Sequence, residues 1–222
     1  MPEEPSPRLE VRKLGTVPYA EALELQEGLV ARRRTDEIPD QLLLLEHPHV
    51  ITLGTSHHAH HLLLSDEERE RRGIELFEAG RGGDVTYHGP GQLVGYPILS
   101  LAPDRKDLHR YLRDLEEVLL QTLARFNIAG SRAEGFTGVW VPEGKLAAIG
   151  VRVSSGWITS HGFALNVHPD LSFFSSIVPC GISDRPVTSM AGVLERSVKI
   201  DEVIPDLVTS FEKVFSRDAV VV

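Results

Sequence analysis

The apolar residues change their spacing near residue 127, and that change limits the folds open to the chain more than any other feature. From Asp107 to Phe126, Leu108, Tyr111, Leu112, Leu115, Val118, Leu119 and Leu123 fall on one helical stripe. Beyond it the period becomes two. Gly138 to Val141, Lys145 to Val153 and Trp157 to Val167 read as an antiparallel meander, turned at Pro142-Glu143-Gly144 and Ser154-Ser155-Gly156. Upstream, Leu9 to Leu14, Gln41 to Glu46, Val50 to Leu53, Ile74 to Ala79 and Leu93 to Leu99 have the length of strands. Pro18 to Arg34 reads as a helix with cations in its last turn, Ser65-Asp66-Glu67-Glu68 as a helix start, and Asp201 to Phe215 as a last helix. Strands come in groups rather than alternating with helices, so the expected class is α+β, with helices packed on a mixed, mostly antiparallel sheet.

No linker-like stretch divides the 222 residues, and one domain over 1–222 is expected. The net charge of -9 argues against nucleic acid or an anionic membrane as the main partner. No apolar run approaches a membrane span, and Met1-Pro2-Glu3-Glu4-Pro5 lacks the regions of a signal peptide, so the expected location is the cytoplasm. A single cysteine, Cys180, forms no internal disulfide, which agrees with a reducing compartment. Arg32-Arg33-Arg34 is the densest basic cluster, followed by Arg69, Arg71 and Arg72. A solvated helix end explains these arginines as well as a docking patch for an acidic partner does.

Residues Arg81-Gly-Gly-Asp-Val-Thr-Tyr-His-Gly-Pro-Gly-Gln92 concentrate chemistry: four glycines and a proline surround charge, ring and titratable nitrogen, between a strand entering and a strand leaving. Neither G-x-x-x-x-G-K-[ST] nor a helix-opening G-x-G-x-x-G is present, so nothing specific points to a nucleotide. The histidines His57-His58-Ala59-His60-His61 lack zinc spacing and read as a solvated loop, with no metal expected. His88 and His161 stand in glycine-rich contexts, where a structural and a catalytic role are evenly matched.

Cys180 sits in Pro179-Cys180-Gly181, where no long element is expected. A lone cysteine is more often a small buried hydrophobe than a nucleophile, and at a pKa of about 8.5 only roughly 3% of it is thiolate at pH 7. A nearby cation would change that, and Lys145 is the candidate. On period two Lys145 shares an apolar face with Ala147, Ile149 and Val151, a setting that disfavours the ammonium form. The small residues Ala148, Gly150, Gly162 and Ala164 leave either a groove or room for close packing. Strict alternation puts that groove on the face away from Lys145; a bulge, or a lysine at the turn end, would bring them together.

Taken with Lys145-Leu-Ala-Ala-Ile-Gly150, Ser160-His-Gly-Phe-Ala-Leu-Asn-Val167 and Pro179-Cys-Gly-Ile182, the glycine-rich stretch resembles the lipoyl(octanoyl) transferase family, in both order and spacing. The resemblance implies a fold shared with biotin and lipoate protein ligases. It implies an acyltransferase that carries an octanoyl group from octanoyl-acyl carrier protein to a lysine of a lipoyl domain, on the E2 subunits of 2-oxoacid dehydrogenases or the glycine cleavage H protein. Cys180 would hold the acyl group as a thioester, and Lys145 would lower the cysteine pKa and take the proton of the incoming amine. The residues matching the family's substrate contacts are Arg81, Gly82, Gly83, Asp84, Val85, Thr86, Tyr87 and His88, then Ala148, Ile149 and Gly150, then Gly162, Phe163 and Ala164. They would line an acyl tunnel. Thioester exchange is nearly balanced and amide formation runs downhill, so neither ATP nor another cofactor is expected. The alternatives are an ATP-using ligase of the same fold, a non-catalytic acyl-binding module, and a cysteine hydrolase using His88 or His161.

Overall fold

The structure is a computed structural model that describes residues 6–103, 105–178 and 186–222. One large sheet carries the fold, in the order β11 (Asp218–Val221), β1 (Arg8–Thr16), β2 (Asp40–Glu46), β6 (Gln92–Ile98), β10 (Ile158–Asn166), β9 (Gly144–Ser154), β8 (Phe136–Val141) and β7 (Ser131–Ala133). β1 runs parallel to both of its neighbours, and every other adjacent pair is antiparallel. A second sheet holds β3 (Val50–Leu53) between β4 (Glu75–Glu78) and β5 (Val85–His88). The class is therefore α+β with a mixed, mostly antiparallel sheet.

The run Leu42-Leu43-Leu44-Leu45 shows why the large sheet is buried on both faces. Side chains alternate across a strand, so Leu42 and Leu44 enter one core and Leu43 and Leu45 the other. The first core is closed by α3 (Leu108–Arg125) and α5 (Ile200–Phe215), through Leu115, Val118 and Leu119 on one and Leu207, Phe211 and Phe215 on the other. The second is closed by α1 (Tyr19–Arg34) through Ala22 and Leu29. Two short helices, α2 (Asp66–Arg71) and α4 (Met190–Leu194), complete the set among the described residues; Ser65 caps α2, accepting from the Glu68 N–H. At the start of the α3 stripe, Leu108 is exposed and Leu112 only half-buried. Both border an open cavity, and Leu112 also packs against the first core.

The arginine cluster at the end of α1 is largely spoken for. Buried Asp40 accepts from Arg33 Nε and Arg217 Nε, each at 2.7 Å, and from the Ser100 N–H at 3.0 Å, tying α1 and β2 to the chain after α5. Arg33 also bonds Asp36, and Arg32 lies 3.7 Å from Glu37. Of the second cluster, Arg69 bonds Asp66 and the Ile74 carbonyl. Arg32, Arg34, Arg71 and Arg72 remain exposed.

Candidate active site

The glycine-rich stretch is not one loop between two strands of one sheet. Its Val85–His88 segment is β5, paired antiparallel with β3, and only β6 after it joins the large sheet. Alternation along β5 turns Tyr87 away from Thr86 and His88 and into a cluster it shares with Val85. Its hydroxyl meets His49 at 2.7 Å, and its ring stacks on Phe173 at 5.4 Å. Tyr87 therefore supports the 171–178 segment and borders none of the described cavities.

Three hollows meet where the 81–84 segment and β5 approach β9. The first, about 50 Å³, is bordered by Arg81, Gly82, Gly83, Asp84, Val85, Thr86 and His88, by Ala148, Ile149, Gly150, Gly162, Phe163 and Ala164, and by Tyr19, Tyr96 and His161. A second, of about 20 Å³, shares Thr86, Ala148 and Ala164 with it and adds Lys145, Gln92 and Asn166. The third, about 550 Å³ and open, shares Gly82, Gly83, Asp84 and Gly150 with the first and Lys145 with the second. Lys145 thus stands where the inner hollows reach the opening.

A bulge places Lys145 on this side. β8 and β9 pair Val139 with Ala147 but Trp140 with Lys145, so Leu146 is an extra residue and the alternation reverses there. Ile149 keeps the other face, toward Leu112 and the α3 core. Lys145 is 7% exposed, with Nζ 5.3 Å from the centre of the Trp140 ring. Its backbone is held from outside the sheet: its N–H donates to the Pro186 carbonyl at 2.9 Å, and its carbonyl accepts from the Thr188 N–H at 3.0 Å.

Cys180 lies outside the described residues. Both flanks of that stretch are attached to the site: Val178 donates to the His61 carbonyl at 2.8 Å, and 186–188 run along Lys145. The histidine segment is consequently part of the rim rather than a free loop. His58 and His61 border the open cavity, and the His61 ring bonds Asp84. Burial raises the Asp84 pKa, but hydrogen bonds from Val85, His61 and His58 outweigh it and hold the carboxyl below its ordinary value. Among the described residues, no group of three or more His, Cys, Asp or Glu side chains is placed to hold a metal ion.

Sequence reasoning passed over a buried relay. His88 Nδ1 meets Gln92 Oε1 at 2.7 Å, Gln92 Nε2 donates to Asn166 Oδ1 at 2.9 Å, and Asn166 Nδ2 donates to the Thr188 carbonyl at 3.0 Å. With both amides so oriented, the His88 proton sits on Nδ1. Gln92 ends the glycine-rich motif and Asn166 stands next to the end of the Ser160 to Val167 motif, and those positions were the only signal for them. Arg81 is also fixed, donating through Nε and Nη2 to Thr52.

The inner histidines are held neutral. Burial brings His47 down to about 4, His88 to about 3 and His161 to about 4, with the charge of Arg81 adding to the effect on the last two. Unfolded histidine titrates near about 6.5, so as pH falls the unfolded chain takes up protons first. The stability these residues contribute is complete above about pH 6.5 and is lost toward their folded values, at up to about 1.4 kcal/mol per pH unit for each. Urea unfolding at pH 7.5, 6 and 5 should show this slope, and His88→Asn should flatten it by one histidine's share. An unchanged slope in the variant would contradict the assignment.

The small residues serve close approach as well as space. A Cβ on Gly150 would lie 2.9 Å from the Gly82 carbonyl oxygen and 3.2 Å from Arg81 Cδ; one on Gly162 would lie 2.1 Å from the Gly95 oxygen. Gly150→Ala should push the 81–84 loop outward, costing about 1–3 kcal/mol of stability and about tenfold or more in turnover. Melting curves and initial rates check both; wild-type rates would contradict it.

The lipoyl protein ligase A/B catalytic domain model matches residues 18–212. An octanoyltransferase of Solibacter usitatus is 53% identical, over 92% of this chain and 92% of its own. Among solved structures, Ta0514, a putative lipoate protein ligase from T. acidophilum, aligns with a TM-score of 0.73 at 18% identity over 98% of this chain and 88% of its own. Biotin protein ligase from Aquifex aeolicus, in complex with biotin and ATP, aligns with a TM-score of 0.55 at 13% identity over 94% and 70%. These two likenesses establish the shared fold.

Proposed function

The chain belongs to the lipoyl protein ligase A/B catalytic domain family and is an octanoyltransferase of protein lipoylation, and we propose that it draws the octanoyl group from octanoyl-acyl carrier protein, holds it on Cys180, and delivers it to a lysine of a lipoyl domain. In the first half-reaction the Cys180 thiolate bonds the carbonyl carbon of the donor thioester, the donor's C–S bond breaks, and the departing thiolate takes a proton from water. In the second, the acceptor amine bonds that carbon as the C–S bond to Cys180 breaks. The amine's proton passes through Lys145 Nζ to the departing sulfur, restoring the free thiol. Electrons and atoms balance without a nucleotide.

One observation carries this reading. Lys145, buried at the junction of the inner hollows and the open cavity, is hydrogen-bonded along its backbone to the residues that follow the Cys180 stretch. A cation so placed would stabilise a thiolate brought to it. The open cavity gives donor and acceptor a common approach. Its rim, Leu108 and Phe136 on one side and His58 and His61 on the other, is where either protein would dock.

The test is transfer without ATP. Purified protein, octanoyl-carrier protein and an unmodified lipoyl domain of an E2 subunit should yield acceptor heavier by one octanoyl group, and the H protein should serve as well. Modification that requires free octanoate and ATP would select the ligase alternative. Octanoate binding with no transfer would select the binding module, and release of free octanoate faster than transfer the hydrolase.

A further inference from the structure

Glu116 of α3 is fully buried, and its carboxylate reaches the edge of the sheet beside Lys145. Its Oε1 accepts from the backbone N–H of Gly138 in β8 at 3.0 Å. Its Oε2 accepts from Arg132 Nε of β7 at 3.0 Å and lies 2.9 Å from Arg113 Nη1 on its own helix. A buried carboxylate is retained only when such partners answer its desolvation, and here the helix thereby clamps two strands at once.

The clamp sits where both strand pairings slip. β7 and β8 change register between Ser131 and Ala133, and β8 and β9 change register between Val139 and Trp140. Gly138 stands between the two slips at φ +129, a conformation that favours glycine. It is also the wall along which the lysine stem lies: a Cβ there would fall 2.9 Å from Lys145 Cε and 2.5 Å from the Ala147 carbonyl oxygen. Moving the Gly138 backbone therefore moves the surface that directs the amine.

We propose that Glu116, which touches no substrate, is a positioning residue for Lys145, holding Gly138 and the doubly slipped edge so that the amine stays at the mouth of the inner hollows. The proposal rests on the acyl-transfer reading above. What counts is acceptor geometry at Oε1 rather than charge, because the Gly138 N–H is satisfied equally by a carboxylate or an amide oxygen.

The experiment compares kcat and KM for octanoyl transfer in Glu116→Gln, Glu116→Asp and Glu116→Leu, with Arg132→Met as a control that removes an ion pair but leaves the Gly138 bond. Glu116→Gln should stay within about threefold of wild type, keeping the acceptor. Glu116→Asp, with its charge intact but a shorter reach, and Glu116→Leu should each lose about 10- to 100-fold in kcat with donor KM changed by less than about twofold, as expected of a misplaced group. Arg132→Met should lose stability and keep kcat. Wild-type kcat in Glu116→Asp, failure of Glu116→Gln to retain activity, or a kcat loss in Arg132→Met equal to that of Glu116→Asp would each overturn the proposal; the two mild variants decide it if Glu116→Leu does not fold. Should wild-type protein transfer nothing, or Lys145 variants remain active, the functional reading fails instead.

Discussion

Cys180→Ala should lower octanoyl transfer on the order of 10⁴-fold or more, while leaving the fold intact. Removing a covalent nucleophile leaves only the catalysis that binding and electrostatic stabilisation supply. The chain makes the test clean, because Cys180 is its only cysteine and no second thiol can take over the acyl group. Cys180→Ser is the informative companion. Its hydroxyl is a far weaker nucleophile at neutral pH, so acylation should slow sharply, and any ester that forms should persist. The measurement is the rate of mass gain by the acceptor domain, with circular dichroism to establish folding. Transfer at more than a few per cent of the wild-type rate in the alanine variant would remove Cys180 from the mechanism.

The second large effect belongs to Lys145. Lys145→Met keeps the length of the stem and its apolar contact with Trp140 but deletes the amine, and kcat should fall by about 10²- to 10⁴-fold, the usual share of a positioned proton-transfer group. The half-reactions separate its two duties. If the residue supplies only positive charge to the thiolate, Lys145→Arg should restore both steps. On the mechanism proposed here, Arg should support acylation of Cys180 but not attack by the acceptor amine, since guanidinium gives up no proton in this range. Lys145→Arg should therefore accumulate acyl-enzyme. Rapid-quench mass measurement of enzyme and acceptor distinguishes the outcomes, and full turnover by the arginine variant would exclude proton transfer at Lys145.

The sequence exposed what depends on local pattern and hid what depends on remote partners. The α3 stripe, the four leucines of β2 and the strand runs around 145–153 and 158–166 are set by neighbours within a few residues, and the structure has them. The short strands β5, β7 and β11, of three or four residues each, are strands because of what lies beside them. No periodicity can be read over so few positions, and β5 was hidden among glycines. The conflict over Lys145 was of the same kind. Period two put the lysine opposite the groove, and only the slip of β9 against β8 at Leu146, a property of two strands together, turns it inward. Tyr87 was read with its neighbours in the motif, yet alternation across β5 sends it under Phe173. The histidine segment looked peripheral because its anchors, Asp84 and Val178, lie far along the chain.

Covalent capture of the octanoyl group by Cys180 is read from intact-protein mass spectrometry after brief exposure to octanoyl-carrier protein, without acceptor and without ATP. The account predicts one added octanoyl group, mapped to the peptide containing Cys180, released by hydroxylamine, and transferred to a lipoyl domain added afterwards. Unmodified protein that nonetheless transfers the octanoyl group when donor and acceptor are both present, or an adduct on any other residue, would contradict it.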